Sequence, residues 1–167
     1  IISIEAKTGA GKSVFIKNNL YQYAKSKNKK ILLLVHRINC KQQFETEIIG
    51  KEDTILILTY QTIDKIYENN QAYDFSQYDY IVCDEFHYFM SDASFNNTTD
   101  MSINAIIDQS DSIRIFMSAT AEIMTKYLQN YRKLNVISYK SDMKFDFIRD
   151  LNFYKNNKIC GSNSRNT

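Results

Sequence analysis

Short apolar segments alternate with longer segments of mixed polarity along most of the chain. The apolar segments are rich in Ile, Leu and Val and lie at 1–4, 31–35, 54–58, 80–83, 113–117 and 134–139. Continuous apolar runs, as opposed to alternating ones, are typical of strands that are covered on both faces in a parallel sheet. The pattern therefore predicts six such strands.

The segments between the predicted strands have helical spacing. Their apolar residues lie three or four positions apart, which places them on one face of a helix. They predict helices through Ile16, Leu20 and Tyr23, through Phe44, Ile48 and Ile49, through Ile103, Ile106 and Ile107, over "AEIMTKYLQ" from Ala121, and over a shorter segment, "QTIDKIY", from Gln61. Strands that alternate with helices predict an α/β fold, in which a parallel sheet is flanked by helices on both faces.

The pattern changes after Ser141. The segment "MKFDFIRDLNFY" predicts one more strand, and "KNNKICGSNSRNT" is polar, rich in Asn and without periodicity. Polar segments of this kind bury too little apolar surface to fold on their own. We expect one domain over residues 1–141, and a linker or the start of a further domain with a disordered tail over residues 142–167.

Composition narrows the class of protein. The 167 residues suit one domain with a sizeable core, and 44% hydrophobic with 24% charged residues is ordinary globular composition. No apolar run approaches the roughly 20 residues of a membrane-spanning helix. Three cysteines without paired spacing argue against a disulfide framework and a zinc site. We expect a soluble, cytoplasmic protein whose net charge of +2 does not by itself indicate a nucleic-acid binder.

A glycine loop, "AKTGAGKS" at residues 6–13, is the strongest local motif. It follows the first predicted strand and precedes the first predicted helix, which is the context that a phosphate-binding loop requires. Gly9 and Gly11 can adopt backbone angles that turn consecutive amides toward an anion. The pattern departs from GxxxxGK[ST] at its first position, where Ala6 stands for Gly.

The end of this loop carries the polar side chains that a nucleotide needs. Lys12 would place its charge on the outer phosphates, and Ser13 would offer its hydroxyl to Mg²⁺ at a helix N-terminus that favours anions. The predicted nucleotide-binding residues are Thr8, Gly9, Ala10, Gly11, Lys12 and Ser13.

Two adjacent carboxylates, Asp84 and Glu85, end the fourth predicted strand in "IVCDE". Acidic residues are rarely buried unless they are paired or hold a metal. Beside a Mg-ATP site, Asp84 would orient the metal through its water shell and Glu85 would polarise the attacking water. The alternative is a strand that simply ends in solvated acids.

The motifs together resemble those of superfamily 2 DExH-box helicases and translocases. "AKTGAGKS", "DEFH" and "MSAT" at 117–120 resemble motifs one, two and three in order and approximate spacing. "LLLVHRINCKQQF" resembles the motif Ia region, and "TYQTI" at 59–63 resembles the short motif after the next strand. The resemblance covers about residues 1–140 and implies the first RecA-like P-loop NTPase motor domain. Phe86 replaces the Ala of the commonest signature and leaves the subfamily open.

The resemblance implies roles by position. The catalytic set would be Lys12, Asp84, Glu85 and His87, with His87 linking the nucleotide site to a second motor domain. Residues that couple nucleotide state to nucleic-acid grip would be Ser118, Ala119 and Thr120. The backbone of DNA or RNA would be contacted by His36, Arg37, Thr59, Gln61 and Thr62. The implied cofactors are ATP and Mg²⁺, with Ser13 and Asp84 as the metal-holding residues.

The order of the predicted strands groups the same candidate residues independently of the family resemblance. Ligands of open α/β sheets gather at the carboxyl ends of the strands. Each chemical stretch directly follows an apolar run, so five functional segments are expected to converge on one edge of the sheet. The basic run "KSKNKK" at 25–30 enters the second strand and should lie at the opposite edge.

The resulting hypothesis is the ATP-binding motor domain of a DExH-type helicase that hydrolyses ATP with Mg²⁺. Without the charge-stabilising arginines of a second motor domain, we expect the chain to bind nucleotide weakly and to hydrolyse it slowly or not at all. One alternative is a different P-loop enzyme, such as a kinase. It would lack a "DExH" segment followed by "SAT", so the set of motifs counts against it. A translocase subunit of a restriction or remodelling complex and a non-catalytic remnant that acts as a binding module remain alternatives.

Overall fold

Six strands and the helices between them make up the described part of the chain. In the computed structural model the described residues are 1–87 and 97–141, with backbone only at 97–100. The strands are β1 (Ile2–Glu5), β2 (Ile31–Val35), β3 (Ile55–Thr59), β4 (Tyr80–Asp84), β5 (Ile113–Ser118) and β6 (Ile137–Lys140). Each overlaps a predicted strand, so all six are confirmed. The further strand and the tail expected after residue 141 lie outside the described residues.

The strands form one parallel sheet in the order β3-β2-β4-β5-β1-β6. At its centre β5 pairs with both β4 and β1, and the register places Asp84 beside Met117 and Glu5 beside Ser118. The carboxyl ends of these strands therefore meet at the same edge of the sheet. This arrangement confirms the predicted α/β fold class.

The helices cover both faces of the sheet. They are α1 (Lys12–Val14), a π-helical segment (Phe15–Leu20), α2 (Tyr21–Ser26), α3 (Ile38–Glu47), α4 (Tyr60–Glu68), α5 (Asn97–Ile107) and α6 (Glu122–Asn130). Within the described residues, no helix combines the length and the apolar character that crossing a bilayer requires.

The alternating side chains of the central strands divide the core into two layers. Leu32 and Leu34 of β2 pack with α4, α5 and α6, including the buried Ile103, Ile106 and Ile107 that the sequence predicted. The neighbouring Ile31, Leu33 and Val35 pack with the first helical region and α3 on the other face. All five residues of β2 are buried, because helices cover both faces of this strand.

The π-helical segment corrects one predicted helix face. Ile16 and Leu20 are buried as expected, but Tyr23 is 55% exposed, and Tyr21 and Ala24 are buried in its place. The i→i+5 pairing of a π-helix fits more residues into a turn than an α-helix does. The residues after Leu20 are therefore rotated away from the positions that an uninterrupted α-helix would give them.

The end of α3 corrects a second predicted face. Phe44 and Ile48 are buried, but Ile49 is 77% exposed. The helix ends at Glu47, and Gly50 takes a positive φ of 81° two residues after Ile48. The chain has thus left the helical path before it could turn Ile49 toward the sheet.

Phe86 is a core residue despite lying inside the "DEFH" motif. Its side chain has no exposed surface and packs edge-to-face on Phe116, with ring centroids 5.4 Å apart. We predict that Phe86→Ala, which introduces the residue of the commonest signature, lowers the free energy of unfolding by about 3–5 kcal/mol because it leaves a cavity. Urea denaturation measures this. The surface variant Phe15→Ala should cost much less, and equal losses would contradict the packing role of Phe86.

Candidate active site

Three cavities lie side by side along the carboxyl edge of the sheet. The first, of about 270 Å³, is formed by the glycine loop with Asp84 and Glu85. The middle cavity, of about 590 Å³, shares Thr8, Asp84 and Glu85 with the first. The third, of about 560 Å³, shares His36 and Arg37 with the middle one. One continuous surface therefore connects the predicted nucleotide, coupling and nucleic-acid segments.

The glycine loop wraps around the first cavity. Gly9 and Gly11 have positive φ angles of 82° and 87°. At Gly11 an added Cβ would meet no atom within 4 Å, so the backbone angle alone requires glycine there. The loop starts from the sheet itself, because the Ala6 amide donates to the Ser118 carbonyl at 3.0 Å. Thr8, Lys12 and Ser13 line the same cavity, but Ala10 is not among its lining residues.

Lys12 is held by the protein's own oxygen atoms. Its ammonium donates to the Ala6 carbonyl at 2.7 Å and lies 3.5 Å from Glu85 Oε1. Only 9% of the side chain is exposed. The positive charge thus lies at the cavity wall, where a phosphate would compete with Glu85 for it.

Asp84 is a largely buried carboxyl group whose pKa is raised. Burial, reinforced by the negative charge of Glu85 and opposed by Lys12, raises the pKa of Asp84 to about 6. Its Oδ1 atom is buried without a hydrogen-bond partner among the described residues. A desolvated carboxylate oxygen that lacks a donor suits a cation or a cation-bound water. Because Ser13 lines the same cavity, Asp84 and Ser13 fit the metal-holding roles that the sequence suggested.

Glu85 occupies a strained turn directly after β4. Its φ of 52° lies in the left-handed region, which non-glycine residues rarely adopt. The turn lets the carboxylate face two side chains at once, with Oε1 near the Lys12 ammonium and Oε2 at 3.2 Å from His87 Nδ1. Strain held in place by surrounding contacts is common at functional sites.

A hydrogen-bond chain joins the "DEFH" and "MSAT" segments. His87 Nδ1 lies 3.0 Å from Ser118 Oγ, and the same Oγ accepts from the Thr120 amide at 3.1 Å. A proton on Nδ1 allows the ring to donate to Ser118 or to Glu85. Ala119 and Thr120 line the middle cavity beside His87, whereas Ser118 is fully buried beneath it.

All five predicted nucleic-acid contacts line the third cavity, called here the groove. They are His36, Arg37, Thr59, Gln61 and Thr62. Thr59 has a structural use as well, because its Oγ1 caps α4 by accepting from the Thr62 amide at 3.2 Å. Gln61 and Thr62 lie on the first turn of that helix and present polar groups to the groove.

Further residues of these cavities were missed from the sequence. Lys65 lines the groove one helical turn after Gln61, and an i to i+4 spacing on the predicted helix would have found it. Ile38 and Asn39 also line the groove, and Cys40 lines the middle cavity. These three follow "HR" on α3 and lie in the segment that resembles motif Ia, but the resemblance singled out only His36 and Arg37 of that segment as contacts.

The basic run at 25–30 lies away from these cavities. It precedes β2 and therefore lies at the amino edge of the sheet, as predicted. Lys29 there is paired with Asp79 at 2.6 Å. This ion pair belongs to the entry of the strands rather than to the candidate site.

The Asp84 environment yields a pH prediction. Asp84 ordinarily titrates near 3.8, so between about pH 4 and 6 the folded state binds a proton that the unfolded state has released. The free energy of unfolding should therefore fall as the pH rises through this window. Asp84→Asn should remove this contribution to the slope. The free energy of unfolding of the variant, measured against that of wild type, should therefore rise by on the order of 1–3 kcal/mol between pH 4 and pH 7.

Thermal and urea unfolding of both proteins at several pH values between 4 and 7 measures this difference. The matched control is Asp111→Asn, which neutralises an exposed carboxylate. If wild type and Asp84→Asn show parallel pH profiles, Asp84 is not the buried acid described above.

Comparison with known proteins adds independent information. The model of the DEAD/DEAH box helicase family matches residues 16–127, which is most of the chain. The match begins after the glycine loop and includes the Asp84–Glu85 turn. No curated protein matches the chain significantly.

Solved structures share the fold. The chain is similar to the UvsW helicase from bacteriophage T4, with a TM-score of 0.57, 17% identity, and coverage of 83% of this chain and 53% of that one. It is also similar to a hypothetical ATP-dependent RNA helicase from Sulfolobus tokodaii, with a TM-score of 0.56, 15% identity, and coverage of 83% and 47%. The chain thus spans about half the length of these structures.

Proposed function

This chain belongs to the DEAD/DEAH box helicase family, and we propose that it is the ATP-binding motor domain of a DExH-type member. In this role it hydrolyses ATP to drive unwinding of, or translocation on, DNA or RNA. The observation that carries the proposal is the row of adjoining cavities, in which a glycine loop, a carboxylate pair and a polar groove share lining residues.

The first cavity is proposed to hold Mg-ATP, which supplies the terminal phosphate that water attacks. The glycine-loop amides and Lys12 would bind phosphate oxygens, while Ser13 and Asp84 would hold the metal, Asp84 through water. Glu85 would orient the attacking water and accept its proton, while the bond from the terminal phosphorus to the bridging oxygen breaks and ADP leaves. The orphaned Oδ1 atom of Asp84 and the position of Lys12 at the cavity wall support these assignments.

The Lys12–Glu85 contact suggests how the base is kept inactive before nucleotide arrives. At 3.5 Å the ammonium occupies Glu85 Oε1, one of the two oxygen atoms that would receive the proton of the attacking water. A phosphate oxygen that draws Lys12 away leaves Glu85 free to accept a proton. Nucleotide binding and activation of the base would then be one event.

The groove is proposed to hold a nucleic-acid backbone. It offers Arg37 and Lys65 as cations, with Gln61 and Thr62 as uncharged donors. Such groups suit phosphate oxygens, which carry no sequence information. Binding that tolerates sequence and weakens with salt follows from this chemistry.

A second motor domain is proposed to complete the site. In "DEFH", Phe86 stands where the commonest signature has Ala, so the signature does not identify the subfamily. In the related motors the second domain supplies arginines that stabilise charge during phosphoryl transfer. We therefore expect the chain alone to bind nucleotide weakly and to turn it over slowly or not at all.

The nucleotide assignment predicts the outcome of a titration. Mg-ATP titrated calorimetrically into the chain should bind saturably. Lys12→Ala should weaken binding at least about tenfold, which is about 1.4 kcal/mol, because a charged phosphate contact is lost. Glu85→Gln should bind at least as tightly as wild type, since it removes the competitor for Lys12.

Lys29→Ala is the matched control, because it removes a lysine from an ion pair at the opposite edge of the sheet. Its affinity should equal that of wild type. Equal binding by Lys12→Ala and Lys29→Ala would refute the phosphate role of the loop. No binding to any of the proteins would favour the non-catalytic remnant.

The groove assignment predicts a specific salt dependence. Log affinity for a single-stranded 12-mer should fall linearly with log salt concentration, and each of Arg37→Ala and Lys65→Ala should make the slope shallower by about 0.7. Fluorescence anisotropy at several salt concentrations, with mixed-sequence DNA and RNA, measures the slope. Lys29→Ala again serves as the control, and slopes that are unchanged in all three variants would exclude the groove as the binding surface.

A further inference from the structure

Tyr60 connects the groove to the carboxylate turn from inside the core. It is the first residue of α4 and lies between Thr59 and Gln61, both of which line the groove. Its own side chain points away from that surface and is only 1% exposed. The hydroxyl donates to the backbone carbonyl of Asp84 at 2.8 Å.

The acceptor of this hydrogen bond lies at a critical position. The Asp84 carbonyl belongs to the same planar peptide as the Glu85 amide, so fixing the oxygen fixes the plane between the two residues. Glu85 then leaves this plane at its strained φ of 52°. The orientation of the peptide therefore sets the directions in which the Asp84 and Glu85 carboxylates point.

The helix that carries Tyr60 is well anchored. Ile63, one turn along α4, is fully buried in the same core layer as Phe86. Asp64 is also buried and accepts a hydrogen bond from the Ser102 hydroxyl of α5. Because these contacts hold α4 as a unit, a shift of its groove-facing residues moves the Tyr60 hydroxyl as well.

We propose that Tyr60 is a positioning residue that couples occupancy of the groove to the geometry of the Asp84–Glu85 turn. The inference rests on the proposed function, since it joins the proposed nucleic-acid surface to the proposed nucleotide site. The link lies wholly within this domain, beneath the cavities. It is separate from the hydrogen-bond chain of His87, Ser118 and Thr120.

Coupling of this kind is reciprocal. If nucleic acid in the groove changes the affinity for nucleotide by some factor, nucleotide changes the affinity for nucleic acid by the same factor. The link predicts that this factor differs from one in the 167-residue chain alone. Removing the hydroxyl should bring the factor toward one while both separate affinities stay nearly unchanged, because Tyr60 touches neither ligand.

The test compares wild type with Tyr60→Phe. The probes are a non-hydrolysable ATP analogue with Mg²⁺ and a fluorescein-labelled single-stranded 12-mer, each titrated alone and in the saturating presence of the other. We expect the coupling factor to be at least about threefold in wild type and to fall to about one in Tyr60→Phe. The separate affinities should stay within about twofold.

Tyr78→Phe is the matched control. Tyr78 is also buried, and its hydroxyl is paired with the hydroxyl of Tyr73 at 2.9 Å, close to the start of β4 and far from the turn. Its loss should leave the coupling factor at the wild-type value. A merely structural role of Tyr60 would weaken both separate affinities or affect both variants alike.

The outcomes distinguish a failure of the proposed function from a failure of the coupling through Tyr60. If wild type binds neither probe, the proposed function fails and takes the inference with it. If wild type binds both but shows no coupling, or if Tyr60→Phe keeps full coupling, the inference alone is overturned.

One measurement needs no variant and decides the matter if Tyr60→Phe does not fold. The oligonucleotide alone should shift the backbone amide resonance of Glu85 in the NMR spectrum of wild type. Binding in the groove would move the Tyr60 hydroxyl, and with it the Asp84–Glu85 peptide that contains this amide. An unshifted Glu85 amide at saturation would overturn the inference.

Discussion

Parallel pairing of β4, β5 and β1 is the constraint on which the site depends. The register of these three strands brings Glu5, Asp84 and Ser118 to one edge, and each is followed directly by a functional segment. Two hydrogen bonds continue the pairing past the strand ends, from the Ala6 amide to the Ser118 carbonyl and from the Phe86 amide to the Met117 carbonyl. The loops thus leave the sheet from fixed positions. Their side chains can converge without any loop having to cross the core.

The charges at this edge are only partly balanced within the protein. Lys12 lies against backbone carbonyls and Glu85, and Asp84 lies behind them with a pKa raised to about 6 by burial and by its acidic neighbour. Two carboxylates and one ammonium in a partly buried cavity leave an unmet demand for positive charge. A bound Mg²⁺ would meet that demand, and the phosphates that accompany it would give Lys12 a stronger partner. The left-handed backbone at Glu85 and the hydrogen bond from Tyr60 to the Asp84 carbonyl hold the turn in a conformation that already directs both carboxylates toward this cavity.

The sequence predicted most of the sheet and the contents of its active edge. Apolar runs such as 31–35 identify strands clearly, because a strand buried on both faces has few polar positions. Once the strands are taken as parallel, the residues that follow them are expected at the carboxyl edge of the sheet. The misses have local causes. The π-helical segment at Phe15–Leu20 leaves no mark in the sequence, so Tyr23 was placed on the wrong face. Lys65 follows from helical spacing once α4 is known, but the Tyr60 hydrogen bond joins residues 24 positions apart and depends on side-chain packing that no periodicity encodes. The expected boundary at residue 141 stays a prediction.

The most direct test of the account is a crystal structure of the chain with Mg²⁺ and a non-hydrolysable ATP analogue. The account predicts the terminal phosphates inside the glycine loop, Lys12 Nζ within hydrogen-bond distance of a phosphate oxygen, and the 3.5 Å contact between Lys12 and Glu85 broken. The metal should lie near Ser13, with a bound water reaching Asp84 Oδ1. Nucleotide bound elsewhere, or a glycine loop that holds phosphate while Lys12 stays on Glu85, would contradict the central claim that this cavity is a working nucleotide site.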